Sequence, residues 1–112
     1  MLARAHRVRS GSDFRETMRR GRKTANPTAV VYARSGEETA PVRFGIIVSK
    51  AVGGAVVRNR IKRRVRAICA NVAPSIPAGT AVVIRMLPAA AEVSWDTLRE
   101  QLTTTIRRAV NA

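Results

Sequence analysis

The side chains most often used for acid–base work or metal binding are few in this chain: seven Asp and Glu, His6 and Cys69. The carboxylates lie at or before position 38 and at or after position 92, and between Thr39 and Ala91 there is none. One His and one Cys cannot build a zinc site of the common four-ligand kind, and His6 lacks any partner that would make it catalytic. Protein-borne hydrolysis needs carboxylates clustered around metal ions, or a paired base and acid. That chemistry is therefore rejected for the protein itself. What the middle of the chain offers is cationic: VVRNRIKRRVRA, residues 56 to 67, holds six Arg or Lys among twelve residues and no acid. Its chemistry is the neutralisation of a polyanion.

The whole chain leans the same way. Twenty-one Lys and Arg against seven acids give a formal charge of +14 over 112 residues. Such a field opposes compactness and favours an anionic partner, with nucleic acid ahead of acidic membranes or low-pI proteins. An apolar content of 46 % is globular composition, and the length suits one domain, residues 1–112. The single cysteine excludes an internal disulfide framework and fits a reducing cytosol. No apolar run approaches the ~18 residues of a membrane span. MLARAHRVRSGS has no hydrophobic core of a secretory signal, so a cytoplasmic location is expected.

These cations must be positioned by secondary structure. A first helix is expected from Ser12 as N-cap, with Asp13 and Glu16 in its first turn, Arg19 and Arg20 in its last, and Gly21 at C′. Phe14 and Met18, four apart, share one face of it. AVVYAR (29–34) and RFGIIVS (43–49) read as strands, and the turn signals between them predict a hairpin. The basic helix spans about residues 55 to 72, after Gly53-Gly54. TAVVIRM (80–86) reads as a buried strand. A last helix begins at Ser94, with Val93 and Leu98 placed as a hydrophobic staple and Trp95, Leu98, Leu102, Ile106 and Ala109 in one stripe. The class is α+β, helices laid on a small mixed sheet.

On a helical wheel, Val57, Ile61, Val65, Ile68 and Val72 fall within an arc of roughly 80° that can dock on the sheet. Arg58, Asn59, Arg60, Lys62, Arg63 and Arg66 project elsewhere, and Arg64 sits at the arc's edge, where it can snorkel over the core. Solvated helices mix charge signs because like charges at i, i+4 oppose the helix. An acid-free surface therefore points to phosphate contacts. Cys69, near the arc, reads as a buried small hydrophobe.

Arg58-Asn59-Arg60-Ile61-Lys62-Arg63, preceded by Gly-Ile-Ile-Val-Ser-Lys (45–50) and followed by Arg66, strongly resembles the RNR-motif region of the bacterial ribonuclease P protein subunit. Asp13-Phe14 before Gly21, Ala25-Asn26 before the strand with Tyr32, the VVIR strand and the amphipathic last helix agree in place and type. The resemblance implies the order α-β-β-β-α-β-α, with one further strand near residues 22 to 26 and a left-handed βαβ crossover through the basic helix. It implies an RNA catalyst that removes the 5′ leader of precursor tRNA, with Mg²⁺ carried by the RNA complex and no protein partner required. Arg58, Asn59, Arg60, Lys62, Arg63, Arg66 and Lys50 would contact the RNA subunit. Phe14, Met18, Val30 and Tyr32, edged by Lys62 and Arg66, would line a cleft for the single-stranded leader, whose bases stack on rings without sequence preference. Met18 stands where the family commonly has an aromatic. Phe44 and Trp95 are expected in the core. Arg4, Arg7 and Arg9 would form a flexible basic arm over residues 1–11.

Two other classes compete. A structural RNA-binding protein of ribosomal type shares the composition, but not the RNR context or the placement of Phe14 and Tyr32. A helix-turn-helix DNA-binding regulator needs two adjacent helices joined by a short turn, whereas Gly53-Gly54 follows a strand.

Overall fold

β-branched runs at 29–34, 43–47 and 81–86 pair into the central strands of a four-stranded sheet in the computed structural model, which describes residues 7–8, 11–36 and 39–111. The order is α1 (Gly11–Arg20), β1 (Arg22–Asn26), β2 (Ala29–Arg34), β3 (Arg43–Ile47), α2 (Ala55–Val72), β4 (Ala81–Met86) and α3 (Trp95–Asn111), with short 3₁₀ turns at Ala73–Ser75 and Pro88–Ala91. This is the expected mixed α+β fold, and β1 lies where the family resemblance put a strand that residue pattern alone did not reveal.

The expected hairpin between the second and third strands does not form. The strands lie side by side as β1-β2-β4-β3, so β4 separates β2 from β3. β2 pairs antiparallel with β1 and β4, while β3 runs parallel to β4. A parallel pair needs a long crossover, and α2 supplies it. The tight hairpin is instead β1–β2, turned at Pro27-Thr28. Asn26 locks that turn. Its Oδ1 accepts from the amides of Thr28 (2.7 Å) and Ala29 (2.8 Å) and from the Thr28 hydroxyl (2.9 Å). Its Nδ2 donates to Thr105 Oγ1 at 2.7 Å and to the Gln101 carbonyl at 3.3 Å, tying the hairpin to α3.

Strand alternation divides the sheet into two faces. Ala29, Val31, Ala33, Phe44, Val82, Ile84 and Met86 point to one side and form the main core with Ile61, Val65, Ile68 and Val72 of α2 and Leu98, Leu102, Ile106 and Ala109 of α3. Both apolar stripes read from the sequence are the faces that pack. Val30, Tyr32 and Val83 point to the other side, where Phe14 and Met18 of α1 cover them with Ile47 and Leu87. Ser94 caps α3 through its Oγ, which accepts from the Thr97 amide at 3.1 Å. Ser12 lies inside α1, which starts at Gly11, and so is not its N-cap. Gly21 follows α1 as expected, but its φ is not left-handed. A Cβ there would collide with the carbonyl oxygen of Thr17 and lie 3.1 Å from that of Ala33. Close backbone approach, not αL geometry, requires the glycine.

Candidate nucleic-acid interface

Burial of the apolar arc of α2 fixes how its cations are aimed. Arg58, Lys62 and Arg66 follow one another at i, i+4 and i+8 and are all half-buried, whereas Asn59, Arg60 and Arg63 are exposed. Arg64 leans the other way, its guanidinium carbon 5.6 Å from the centre of the Trp95 ring, with Arg99 at 5.9 Å from the same ring. Trp95 thus joins α2 to α3 through cation–π contacts, and Arg64 is engaged inside the fold. No acid among the described residues pairs with any of the six α2 cations. Carboxylates serve arginines elsewhere. Glu16 holds Arg20 at 2.7 Å, Arg19 at 3.0 Å and Arg34 at 4.0 Å, Asp13 holds Arg43 at 3.3 Å, and Asp96 holds Arg99 at 3.0 Å. Val56 is 81 % exposed in the first turn of α2. By the wheel it shares the outward side with Arg60 and Arg63, setting one apolar contact among cations.

Arg66 reaches the opposite side of β3. With Phe14 of α1, Arg7, Val8, Phe44, Gly45 and Ile46 it lines a recess of about 200 Å³. Gly45 makes that recess possible: a Cβ there would stand 2.5 Å from Phe14 Cε1 and 2.7 Å from Cζ. The ring lies directly on the strand. Arg7 and Val8, within the stretch expected to be a flexible arm, are seated beside β3. Arg7 bridges Phe44 in parallel register, and the Val8 amide donates to the Phe44 carbonyl at 2.8 Å. Arg4, Arg9 and His6 lie outside the described residues.

The structure therefore brings Phe14, Met18, Val30 and Tyr32 together and joins Arg66 to Phe14. Lys62 stands one turn before Arg66 in the same half-buried row, and Lys50 is exposed after β3. Tyr32 is only 7 % exposed and Val30 5 %. The accessible apolar surface of the cleft accordingly belongs to the half-buried Phe14 and Met18, with Ile47 and Leu87. Phe44 is in the core as expected, and Trp95 is half-buried against it. Cys69 is fully buried, and burial pushes its thiol far above its ordinary range.

Two cations on this face escaped the sequence reading. Lys23 is the register partner of Tyr32, and Arg85 that of Val30. Both are exposed, and Arg85 interrupts an otherwise buried β4. The available signal was the two-residue step from Val83 to Arg85, which shares a face in any strand. Their neighbours across the sheet required the strand order.

Among the described residues no group of three or more His, Cys, Asp and Glu could hold a metal ion, and no helix is long and apolar enough to cross a membrane. The arrangement is an acid-free cationic helix beside an apolar cleft with cations at its borders.

Comparison with known proteins agrees. The family model described as Ribonuclease P matches residues 2–110. The ribonuclease P protein component of Clavibacter michiganensis is 51 % identical over 110 residues, covering 98 % of this chain and 97 % of that protein. The solved structure of the Staphylococcus aureus RNase P protein superposes with a TM-score of 0.87 at 29 % identity, covering 95 % of this chain and 96 % of that one. The RNase P protein of Thermotoga maritima superposes with a TM-score of 0.79 at 32 % identity, over 91 % of this chain and 96 % of that one. With these matches spanning nearly every residue, the chain belongs to the ribonuclease P protein family.

Proposed function

We propose that this protein is the protein subunit of a ribonuclease P, binding the catalytic RNA through α2 and the 5′ leader of precursor tRNA in the cleft between α1 and the sheet. The observation that carries the proposal is the pairing of two features. Among the described residues the cations of α2 meet no acid, and the row ending in Arg66 reaches the recess that holds Phe14. A helix so placed can bind one RNA on its outer side and border a second strand on its flank.

Arg60, Arg63 and Asn59, exposed, face the RNA subunit with Val56, while Arg58, Lys62 and Arg66 stand between the two RNAs. Lys50 extends the cationic surface past the end of β3. Phe14 and Met18 offer a polarizable apolar surface to unpaired bases, and Tyr32 supports them from beneath. The chemical step belongs to the RNA and its Mg²⁺. The two carboxylates of α1 each face an arginine, which supports this reading. The protein's contribution is positioning the leader and screening phosphate repulsion. A ribosomal-type role is not favoured, because relatives over the full length are ribonuclease P protein components.

Six phosphate contacts imply that affinity falls about 10³-fold between 50 and 200 mM salt. Titration of a bacterial ribonuclease P RNA against salt tests this, with an unrelated structured RNA as competitor. A steep slope with preference for the ribonuclease P RNA, flattened in Arg60→Gln/Arg63→Gln, supports the reading. Equal affinity for both RNAs contradicts it.

A further inference from the structure

The route of the single strand across the sheet can be read from the cations left without partners among the described residues, an inference that rests on the ribonuclease P reading and deepens it. Register sorts the α1 side of the sheet into three cross-strand rows: Arg34, Ala81 and Arg43; then Lys23, Tyr32, Val83 and Gly45; then Ala25, Val30, Arg85 and Ile47. The arginines of the first row face the carboxylates of α1, Arg43 to Asp13 at 3.3 Å and Arg34 to Glu16 at 4.0 Å. That end of the cleft is therefore partly neutralised. Arg85 and Lys23 are exposed, and among the described residues their side chains have neither an ion pair nor a hydrogen bond. With Arg66 in the recess over Gly45, the unpaired cations follow one another from the β3 edge, across β4, to the β1 edge.

We propose that Arg85 and Lys23 bind backbone phosphates, so that a single-stranded leader crosses the strands from the β3 recess toward β1 and does not run along α1 to Arg34 and Arg43. The two positions are two strands and two residues apart, about 12 Å between Cα atoms, and Val30 lies between them. Two long cationic side chains flanking an apolar floor suit a backbone that passes phosphates on either side of a base or ribose. Nothing in this arrangement reads base edges, so the contribution is independent of leader sequence.

The experiment uses the complex of this protein with a bacterial ribonuclease P RNA and precursor tRNAs whose leaders run from one nucleotide to about ten. Arg85→Gln should leave affinity for the shortest leader unchanged and weaken the longest about five-fold at 0.1 M salt, with the log–log salt slope smaller by ~0.7. Lys23→Gln should show its loss only at leaders longer than those at which Arg85→Gln first does. Arg85→Lys should restore most of the affinity, which a merely structural role would not require. Equal losses at every leader length, or none, overturn the proposal, as does a length-dependent loss confined to Arg34→Gln and Arg43→Gln. If the unaltered protein gives no leader-dependent gain at all, the leader-binding reading itself falls, before any variant is compared.

Discussion

Replacing Gly45 by Ala probes the contact on which the cleft is built. A Cβ at this position stands 2.5 and 2.7 Å from two ring carbons of Phe14 and 3.1 Å from Val8 Cβ. No rotation of the new methyl relieves this, because Cβ is fixed by the backbone; Phe14 or α1 must move. Overpacking of this kind costs roughly 1–3 kcal/mol, which for a domain of this size lowers Tm by about 4–12 °C. Phe14→Leu removes the ring edge, so the cost of Gly45→Ala should shrink in that background. Residues in contact show such coupling, of about 0.5–3 kcal/mol, and distant ones do not. Urea or thermal unfolding of the four proteins gives the coupling directly. Additive losses, or a Gly45→Ala variant as stable as the parent, would refute the claim that the ring lies on the strand. The same variant should weaken leader binding while leaving affinity for the ribonuclease P RNA unchanged, since α2 is anchored by the other face of the sheet.

Further outcomes follow from single residues. Asn26→Ala removes five hydrogen bonds, three within the β1–β2 turn and two that join it to α3, and should cost about 2–4 kcal/mol, read as a lowered Tm with RNA affinity retained below the transition. Cys69 stays neutral in the folded state, while in the unfolded chain it ionises near its ordinary 9.0. Its contribution is therefore complete below that pH and declines above it by about 1.4 kcal/mol per pH unit; comparing the alkaline fall in stability with that of Cys69→Ala isolates it. Val56→Ser should leave stability nearly unchanged, the side chain being 81 % exposed, yet weaken binding of the ribonuclease P RNA in a filter or anisotropy titration. Unaltered RNA affinity would remove Val56 from the interface.

The helices and the α2 wheel were legible because apolar spacing alone decides which side of a helix is buried: Ile61, Val65, Ile68 and Val72 needed no tertiary information. The hairpin between 29–34 and 43–47 was misread for a definite reason. Turn signals report that the chain reverses, not which strand fills the gap, and β4 arrives through a crossover of more than thirty residues. β1, RKTAN, carries no apolar alternation; it is an edge strand whose face toward α3 is held by the polar Asn26. Tyr32 showed its face but not its depth, since burial under α1 depends on Gly45 admitting Phe14. Arg85 and Lys23 became visible as neighbours of the cleft only with the strand order, because they come from strands separated by more than fifty residues.

As the protein subunit, this chain should enable a ribonuclease P RNA to process precursor tRNA when divalent cations are scarce. The most direct test is single-turnover cleavage of a leader-bearing precursor by a bacterial ribonuclease P RNA at limiting Mg²⁺, with and without the protein. A large gain in rate, lost in Arg58→Ala/Lys62→Ala and diminished when the leader is cut short, is the expected result. Tight, salt-dependent RNA binding with no gain in cleavage would contradict the account and leave a general RNA-binding protein.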